Sequence, residues 1–265
     1  MTFTERLRQI QQAKNSLLCI GLDPVIGKIP PHLQKTGDPI VAFNKHIIES
    51  TSDIVCAYKF NLAFYEAHGP AGIEALEESL ELVPPGILTI GDGKRNDIGN
   101  SAERYAEMLF EGLEFDAVTV NPYMGTDSVE PFMRNPEKGA FILALTSNPG
   151  AKDFQKLKVG SLYLYQKVVQ QAKKWNRFGN VGLVVGATQP RELANIRKRV
   201  PAMPILLPGI GAQGGDLKKS IDNGCTKKGD LLLINIGRAI IFSERIRDSA
   251  LEAYDMINTY RNKPG

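Results

Sequence analysis

Residues 87–100 read ILTIGDGKRNDIGN, a short apolar run followed at once by Asp92, Lys94 and Asp97, all within six residues. The segment ILTI, 87–90, has the length and character of a buried strand. Side chains alternate along a strand, so Asp92 and Lys94, two apart, face the same side if the extended geometry continues. A carboxylate and an ammonium then converge at a strand end. Asp97, beside Gly99 and near Asn100 and Ser101, falls where the chain should turn into a helix. It reaches the same place from another direction or serves a different one.

The same unit recurs along the chain. Apolar runs of strand length are SLLCIGLD (16–23), DIVCAYKFN (53–61), ILTI, AVTVNP (117–122), AFILALTSN (140–148), VGLVVGAT (181–188), PILLPGIG (204–211) and LLLINIGR (231–238). Helical patterns separate them. Phe3, Leu7 and Ile10 predict a helix over 3–14 that covers one end of the fold, and Asp38-Pro39 reads as an N-cap and first turn for a helix burying Ile40, Phe43 and Ile47. Further helices are expected at Ile73 to Leu80, 101–112, near Ser128 to Phe132, and from Leu162 through Val169. The last three are 190–200, 215–223 and one final helix carrying Ile241, Ile246, Leu251, Tyr254 and Ile257. The long connection PGAKDFQKLKVG (149–160) shows no element of its own.

Eight strand–helix units at an average spacing of roughly 31 residues suit βα repeats, and runs so uniformly apolar imply strands buried on both faces. A doubly wound sheet also alternates in this way, but eight units in about 250 residues match a closed barrel. The expected architecture is a single (β/α)8 TIM barrel with an N-terminal helix, one domain over residues 1–265. No composition shift marks a second domain.

Composition narrows the function. A net charge of +3 from interspersed signs implies neither a nucleic-acid stripe nor a membrane-binding patch, so a small ligand is expected. Cys19, Cys56 and Cys225 have no metal-like spacing and read as reduced. The charged N-terminus lacks the apolar core of a signal peptide, which points to a cytoplasmic protein.

In such barrels the active site lies at the C-terminal ends of the strands. The polar residues there are Asp23, Lys59, Asn61, Asp92, Lys94, Asn121, Thr146, Ser147, Thr188 and Arg238. Any one of them alone is an ordinary solvated or ion-paired residue; half of eight strand ends carrying charge is more than a rim requires. In LPGIGAQGGD (207–216), Gly209, Gly211 and Gly214 formally match the dinucleotide fingerprint, but that unit expects an acidic residue at the end of the next strand, which here ends in Gly237-Arg238. A phosphate cradle with Arg238, and Gln213 as a side-chain donor, fits better. His32, His46 and His68 are not clustered. With Lys59 and Lys94 nearby, Asp23, Asp92 and Asp97 suit ion pairing better than a metal.

The D-x-K-x-x-D segment at Asp92, Lys94 and Asp97, with CIGLDP, AYKFN, TSNPG, LVVGAT, LPGIGAQGGD and INIGR in this order, resembles the orotidine 5'-phosphate decarboxylases, in the bacterial branch with the longer chain. The resemblance runs from about residue 17 to 242. It departs at Gly93 and Asn96, neighbours of the charged positions, where alanine and glycine are expected. It implies conversion of orotidine 5'-monophosphate to uridine 5'-monophosphate without a metal or cofactor, in a homodimer with sites at the subunit interface. Carried over, Lys94 is the acid that protonates carbon 6, Asp92 lies beside the departing carboxylate, and Lys59 and Asp23 hold the ribose hydroxyls. Asp97, Ile98 and Ser101 reach across from the partner subunit. Ser147 meets the pyrimidine edge, Gln213 and Arg238 hold the phosphate, and Asn61, Thr146, Pro208 and Gly237 complete the substrate site.

Two rivals remain at the level of sequence. A magnesium-dependent keto-sugar-phosphate decarboxylase or lyase of the same suprafamily shares D-x-K-x-x-D but places an acidic metal ligand where this chain has Lys59. A non-catalytic phosphate-binding barrel would bind nucleotide without turnover.

Overall fold

The computed structural model describes residues 1–210 and 215–261. Eight parallel strands, Leu18–Leu22, Ala57–Asn61, Leu88–Arg95, Ala117–Val120, Gly139–Leu145, Val181–Val185, Ile205–Pro208 and Leu232–Ile236, close into a barrel. Each pairs with the next, and the eighth returns to the first with Ile234 opposite Leu18. Helices connect the strands outside, as in a (β/α)8 barrel. Asp38 caps the helix Pro39–Thr51: its Oδ1 accepts the Ile40 and Val41 N–H groups at 2.8 and 3.0 Å, and Pro39 sits where no N–H is needed.

Strand alternation sorts the side chains into two cores. Ile20, Leu22, Tyr58, Phe60 and Val118 join the large outer cluster that the helices cover. Cys19, Ala57, Leu88, Ile90, Ala117, Phe141, Val184, Leu206 and Leu233 form a second cluster together with Phe3 and Leu7 of the N-terminal helix, Phe3–Ala13. That helix therefore closes one mouth of the barrel. Phe3 meets Phe141 edge-on at 5.8 Å, and Gly139 makes room: a Cβ there would stand 2.7 Å from the Phe3 ring. Following each inward ladder upward, Cys19 leads to Asp23, Ala57 to Lys59, Ile90 to Asp92, and Ala117 to Thr119. The apolar layer gives way to a polar one within two to four residues.

Four features differ from the sequence reading. The third strand continues past 90 to Arg95, with a register shift against the fourth strand between Gly91 and Arg95 and with Lys94 at φ +46°. Thr119 accepts the Lys94 N–H at 3.0 Å, a partner for the backbone where the ladder is interrupted. The helix expected at 101–112 begins earlier, as Gly99–Glu107, and widens into a π-turn over Met108–Gly112. The connection 149–160 carries a short helical turn, Pro149–Lys152, and one strand of a small antiparallel hairpin, Lys158–Val159 against Leu162–Tyr163. The last helix is two, Arg238–Ile241 and Ile246–Arg261; Phe242 leaves the axis to stack on Phe43 at 5.6 Å.

Candidate active site

Three charged residues from the second and third strands meet at the open mouth. Lys59 is only 3% exposed, and its Nζ lies 2.9 Å from Asp92 Oδ2 and 3.7 Å from Asp23 Oδ1. Lys94 Nζ donates to Asp92 Oδ1 at 2.7 Å, and the Thr119 hydroxyl donates to the same oxygen at 2.8 Å. Both carboxylate oxygens of Asp92 are thus engaged. The order Asp23, Lys59, Asp92, Lys94 alternates in sign along its whole length.

Burial alone would favour neutral groups here. For Asp92 burial opposes ionisation, but the Lys59 and Lys94 charges and hydrogen bonds outweigh it and hold the carboxyl well below the usual carboxylate range. Burial likewise works against the Lys59 ammonium, and Asp92 and Asp23 override it, so Lys59 is held above the ordinary lysine range. Opposite unit charges 4 Å apart attract by about 4 kcal/mol at an effective dielectric near 20, and desolvation cancels much of that. The array is therefore a fixed arrangement of charge more than a source of stability. Lys94 differs from Lys59 in exposure: 43% of its side chain is accessible, so its ammonium is anchored at Asp92 and open to a ligand.

A cavity of ≈ 190 Å³ lies beside this array. Asp23, Lys59, Asn61 and Asp92 line it together with Pro208, Ile210, Gly237 and Arg238. Among the described residues Arg238 makes no ion pair. Asp23 Oδ1 is buried without a hydrogen-bond partner, with Lys59 Nζ 3.7 Å away. A larger cavity, ≈ 770 Å³, lies near the closed mouth, lined by Arg6, Glu77, Glu114 and Asp116 among others. Size does not identify the site: the converging, desolvated charges are at the smaller cavity.

The expected residues separate into groups. Asp23, Lys59, Asn61, Asp92, Lys94, Pro208, Gly237 and Arg238 come together. Thr146 and Ser147 stand at the end of the fifth strand, outside the cavity wall. Asp97 accepts a hydrogen bond from the Ile98 N–H at 2.8 Å and, with Ser101, lines a surface cleft of ≈ 450 Å³ that also includes Tyr105 and Met108. Ile98 beside it is 51% exposed. Within one chain Asp97 makes no ion pair with either lysine of the array. Gln213, Gly211 and Gly214 lie outside the described residues.

Two contributors were missed in the sequence. Thr119 holds both Asp92 and the Lys94 backbone, and Asn235 lines the cavity and accepts a weak hydrogen bond from Cys19 Sγ at 3.6 Å. Alternation marks both: Thr119 is two residues beyond Ala117, and Asn235 two beyond Leu233, on inward ladders.

Comparison with known proteins agrees with this geometry. A family model described as "Orotidine 5'-phosphate decarboxylase / HUMPS family" matches residues 16–254. A protein named orotidine 5'-phosphate decarboxylase from Dehalococcoides mccartyi is 47% identical, over 99% of this chain and all of its own length. One of the same name from Thermomicrobium roseum is 46% identical, over 99% of this chain and 97% of its own. Among solved structures, Leishmania donovani OMP decarboxylase superposes with a TM-score of 0.90 at 44% identity, covering 99% of this chain and 100% of the other. The Leishmania donovani UMP synthase structure gives 0.93 at 45% identity, covering 100% of this chain and 57% of the other.

Proposed function

The chain belongs to the orotidine 5'-phosphate decarboxylase family and is a carboxy-lyase, and on that premise we propose that it converts orotidine 5'-monophosphate to uridine 5'-monophosphate and carbon dioxide. This is the last step of de novo pyrimidine nucleotide synthesis. The observation that carries the reading is the alternating array Asp23, Lys59, Asp92, Lys94 at the mouth of the barrel, with one ammonium exposed.

Losing carbon dioxide from carbon 6 of the pyrimidine leaves an electron pair in an sp2 orbital with little resonance help. Negative charge must be stabilised at that one atom. Lys94 Nζ, fixed by Asp92, supplies a cation there and then its proton; the new C–H bond takes the pair left by the broken C–C bond, and solvent returns the proton to the amine. A dipole or charge already in place needs little reorganisation as the transition state forms. Asp92 lies beside the leaving carboxylate. Lys59 and Asp23 take the ribose hydroxyls, the ammonium donating and the carboxylate accepting. Asn61 lines the same cavity.

Arg238, Gln213, Pro208 and Gly237 are assigned to the phosphate, with Gly209 at φ +104° turning the backbone of the seventh strand's loop towards it. Binding energy from this remote group helps orient the base. Ser147, with Thr146 behind it, is assigned to the pyrimidine edge. The route requires no metal or organic cofactor.

The same reading makes the enzyme a homodimer. Asp97, Ile98 and Ser101 lie away from their own chain's lysines, on a surface where Ile98, Tyr105 and Met108 are exposed, as suits a subunit interface. Each Asp97 then completes the partner's array. One barrel accounts for the described residues, and we take residues 1–265 as one domain and the location as cytoplasmic.

Following the ultraviolet change as orotidine 5'-monophosphate loses its carboxylate tests the reaction. Turnover that survives EDTA is expected. Nucleotide bound without any spectral change would favour a non-catalytic barrel, and activity abolished by EDTA would favour the magnesium-dependent rival. For the dimer, mixing inactive Asp97→Ala and Lys94→Ala subunits should restore part of the activity, because one of the two sites in a mixed dimer is intact. No recovery in dimers shown to have exchanged would place Asp97 outside the shared site.

A further inference from the structure

The connection after the fifth strand is organised by one amide. Gln155 Oε1 accepts the Thr146 N–H at 2.7 Å, and Gln155 Nε2 donates to Thr146 Oγ1 at 2.8 Å, so both ends of the side chain are used on one residue. The Thr146 hydroxyl in turn donates to Asn148 Oδ1 at 2.6 Å. The Gln155 backbone is itself held, its carbonyl accepting the Tyr165 N–H at 3.0 Å. Lys156, the next residue, reaches the other way and donates to Gln189 Oε1 at 2.8 Å and Glu192 Oε1 at 3.0 Å. Adjacent side chains thus tie the end of the fifth strand to the start of the helix after the sixth.

Ser147 sits between these ties. On its far side Gly186, just past the end of the sixth strand, passes so close that a Cβ would stand 2.7 Å from Ser147 N. Gln155 fixes the residue before Ser147, and Gly186 fixes the space behind it. Neither contact involves the strands that carry Arg238 or the charged array. A device this local has the right reach to aim one side chain and the wrong reach to hold the whole site.

We propose that Gln155 is a positioning residue for pyrimidine recognition: acting through Thr146, it sets the place from which Ser147 meets the base of a 5'-nucleotide. This rests on the assignment of Ser147 to the pyrimidine edge. Without the clamp, the 146–148 segment samples other positions, and the contact to the base weakens equally in ground and transition states. The loss falls on KM and leaves kcat nearly untouched.

The test compares Gln155→Ala, Gln155→Glu and Ser147→Ala, reading kcat and KM with orotidine 5'-monophosphate and inhibition by uridine 5'-monophosphate and by ribose 5-phosphate, which lacks the base. Gln155→Ala should raise KM, and weaken inhibition by uridine 5'-monophosphate, by about ten-fold, the effect of losing one modest hydrogen bond. Its kcat should stay within about two-fold and ribose 5-phosphate inhibition should not change. Gln155→Glu, which keeps an acceptor for the Thr146 N–H, should recover most of the loss. Equal weakening of both inhibitors, or no weakening of either, would overturn the proposal. Ser147→Ala reports separately: unchanged inhibition by uridine 5'-monophosphate there removes Ser147 from the base edge, whatever Gln155→Ala shows.

Discussion

The two mouths of this barrel are built from the same inward ladders and end in opposite chemistry. At one mouth Phe3 and Leu7 fill the space between Ala57, Leu88, Ala117 and Phe141, and stability comes from volume matched to volume. At the other, Lys59 pairs with Asp92 and Asp23, and the Thr119 hydroxyl donates to Asp92. The passage from one regime to the other takes two residues, Ile90 to Asp92. The packed layer keeps water from the underside of the array, which is why Lys59 is buried although charged. One end stabilises the fold and the other spends little on stability while fixing charge in space.

Substitutions at the two mouths should therefore fail in different ways. The largest effect is expected from Lys94→Ala, which should lower kcat by a thousand-fold or more, on the order of the loss when a pre-organised charge is removed, while nucleotide binding and thermal stability hold. Near-normal turnover would remove Lys94 from the acid role. At the closed mouth, Phe3→Ala should cost about 3–5 kcal/mol of unfolding free energy by leaving a cavity, with kcat/KM unchanged where the protein is folded. Denaturant unfolding measures the first and steady-state kinetics the second; a large drop in kcat/KM would show the mouths to be coupled.

Smaller changes sharpen the contrast. Thr119→Val keeps shape but strips Asp92 and the Lys94 N–H of their shared partner, and should cost about 1–3 kcal/mol together with a measurable fall in kcat. A stability loss without any kinetic change would make Thr119 part of the packing alone. The smallest effect is one of pH. Because its folded carboxyl is held low, Asp92 contributes stability above the unfolded carboxylate range, and that contribution is lost as pH falls through the folded value. The difference in unfolding midpoint between wild type and Asp92→Asn should accordingly narrow below about pH 4, near the unfolded aspartate pKa. Lys59, held high, contributes below the unfolded lysine range and loses that contribution only as pH rises through its folded value. A gap that widens in acid would reverse the assignment.

How far the sequence alone reaches follows the same physics. Strands buried on both faces announce themselves as apolar runs, and a charge at the end of such a run, as at Asp23, Lys59 and Asp92, has few structural explanations. Thr119 was passed over because a lone threonine among valines is an ordinary strand residue; only its place on the inward ladder distinguishes it. The break at Phe242 was invisible because Ile241 and Ile246 preserve an apolar stripe whether or not the helix is continuous. Gln155 belongs to a connection whose order comes from side-chain amides, and those leave no periodicity. Asp97 shows in the sequence as a charge, but its place in a surface cleft, apart from the array, depends on where the helix after the third strand begins.

Lys94 has one more consequence. Its φ of +46° is the left-handed conformation that glycine adopts freely and that costs other residues about 1–2 kcal/mol. A campaign that selected variants for heat tolerance would find Lys94→Gly attractive and, on the proposed mechanism, would discard the ammonium that protonates carbon 6. On that mechanism thermal robustness and turnover compete at a single backbone angle, and libraries built from this chain should keep position 94 fixed.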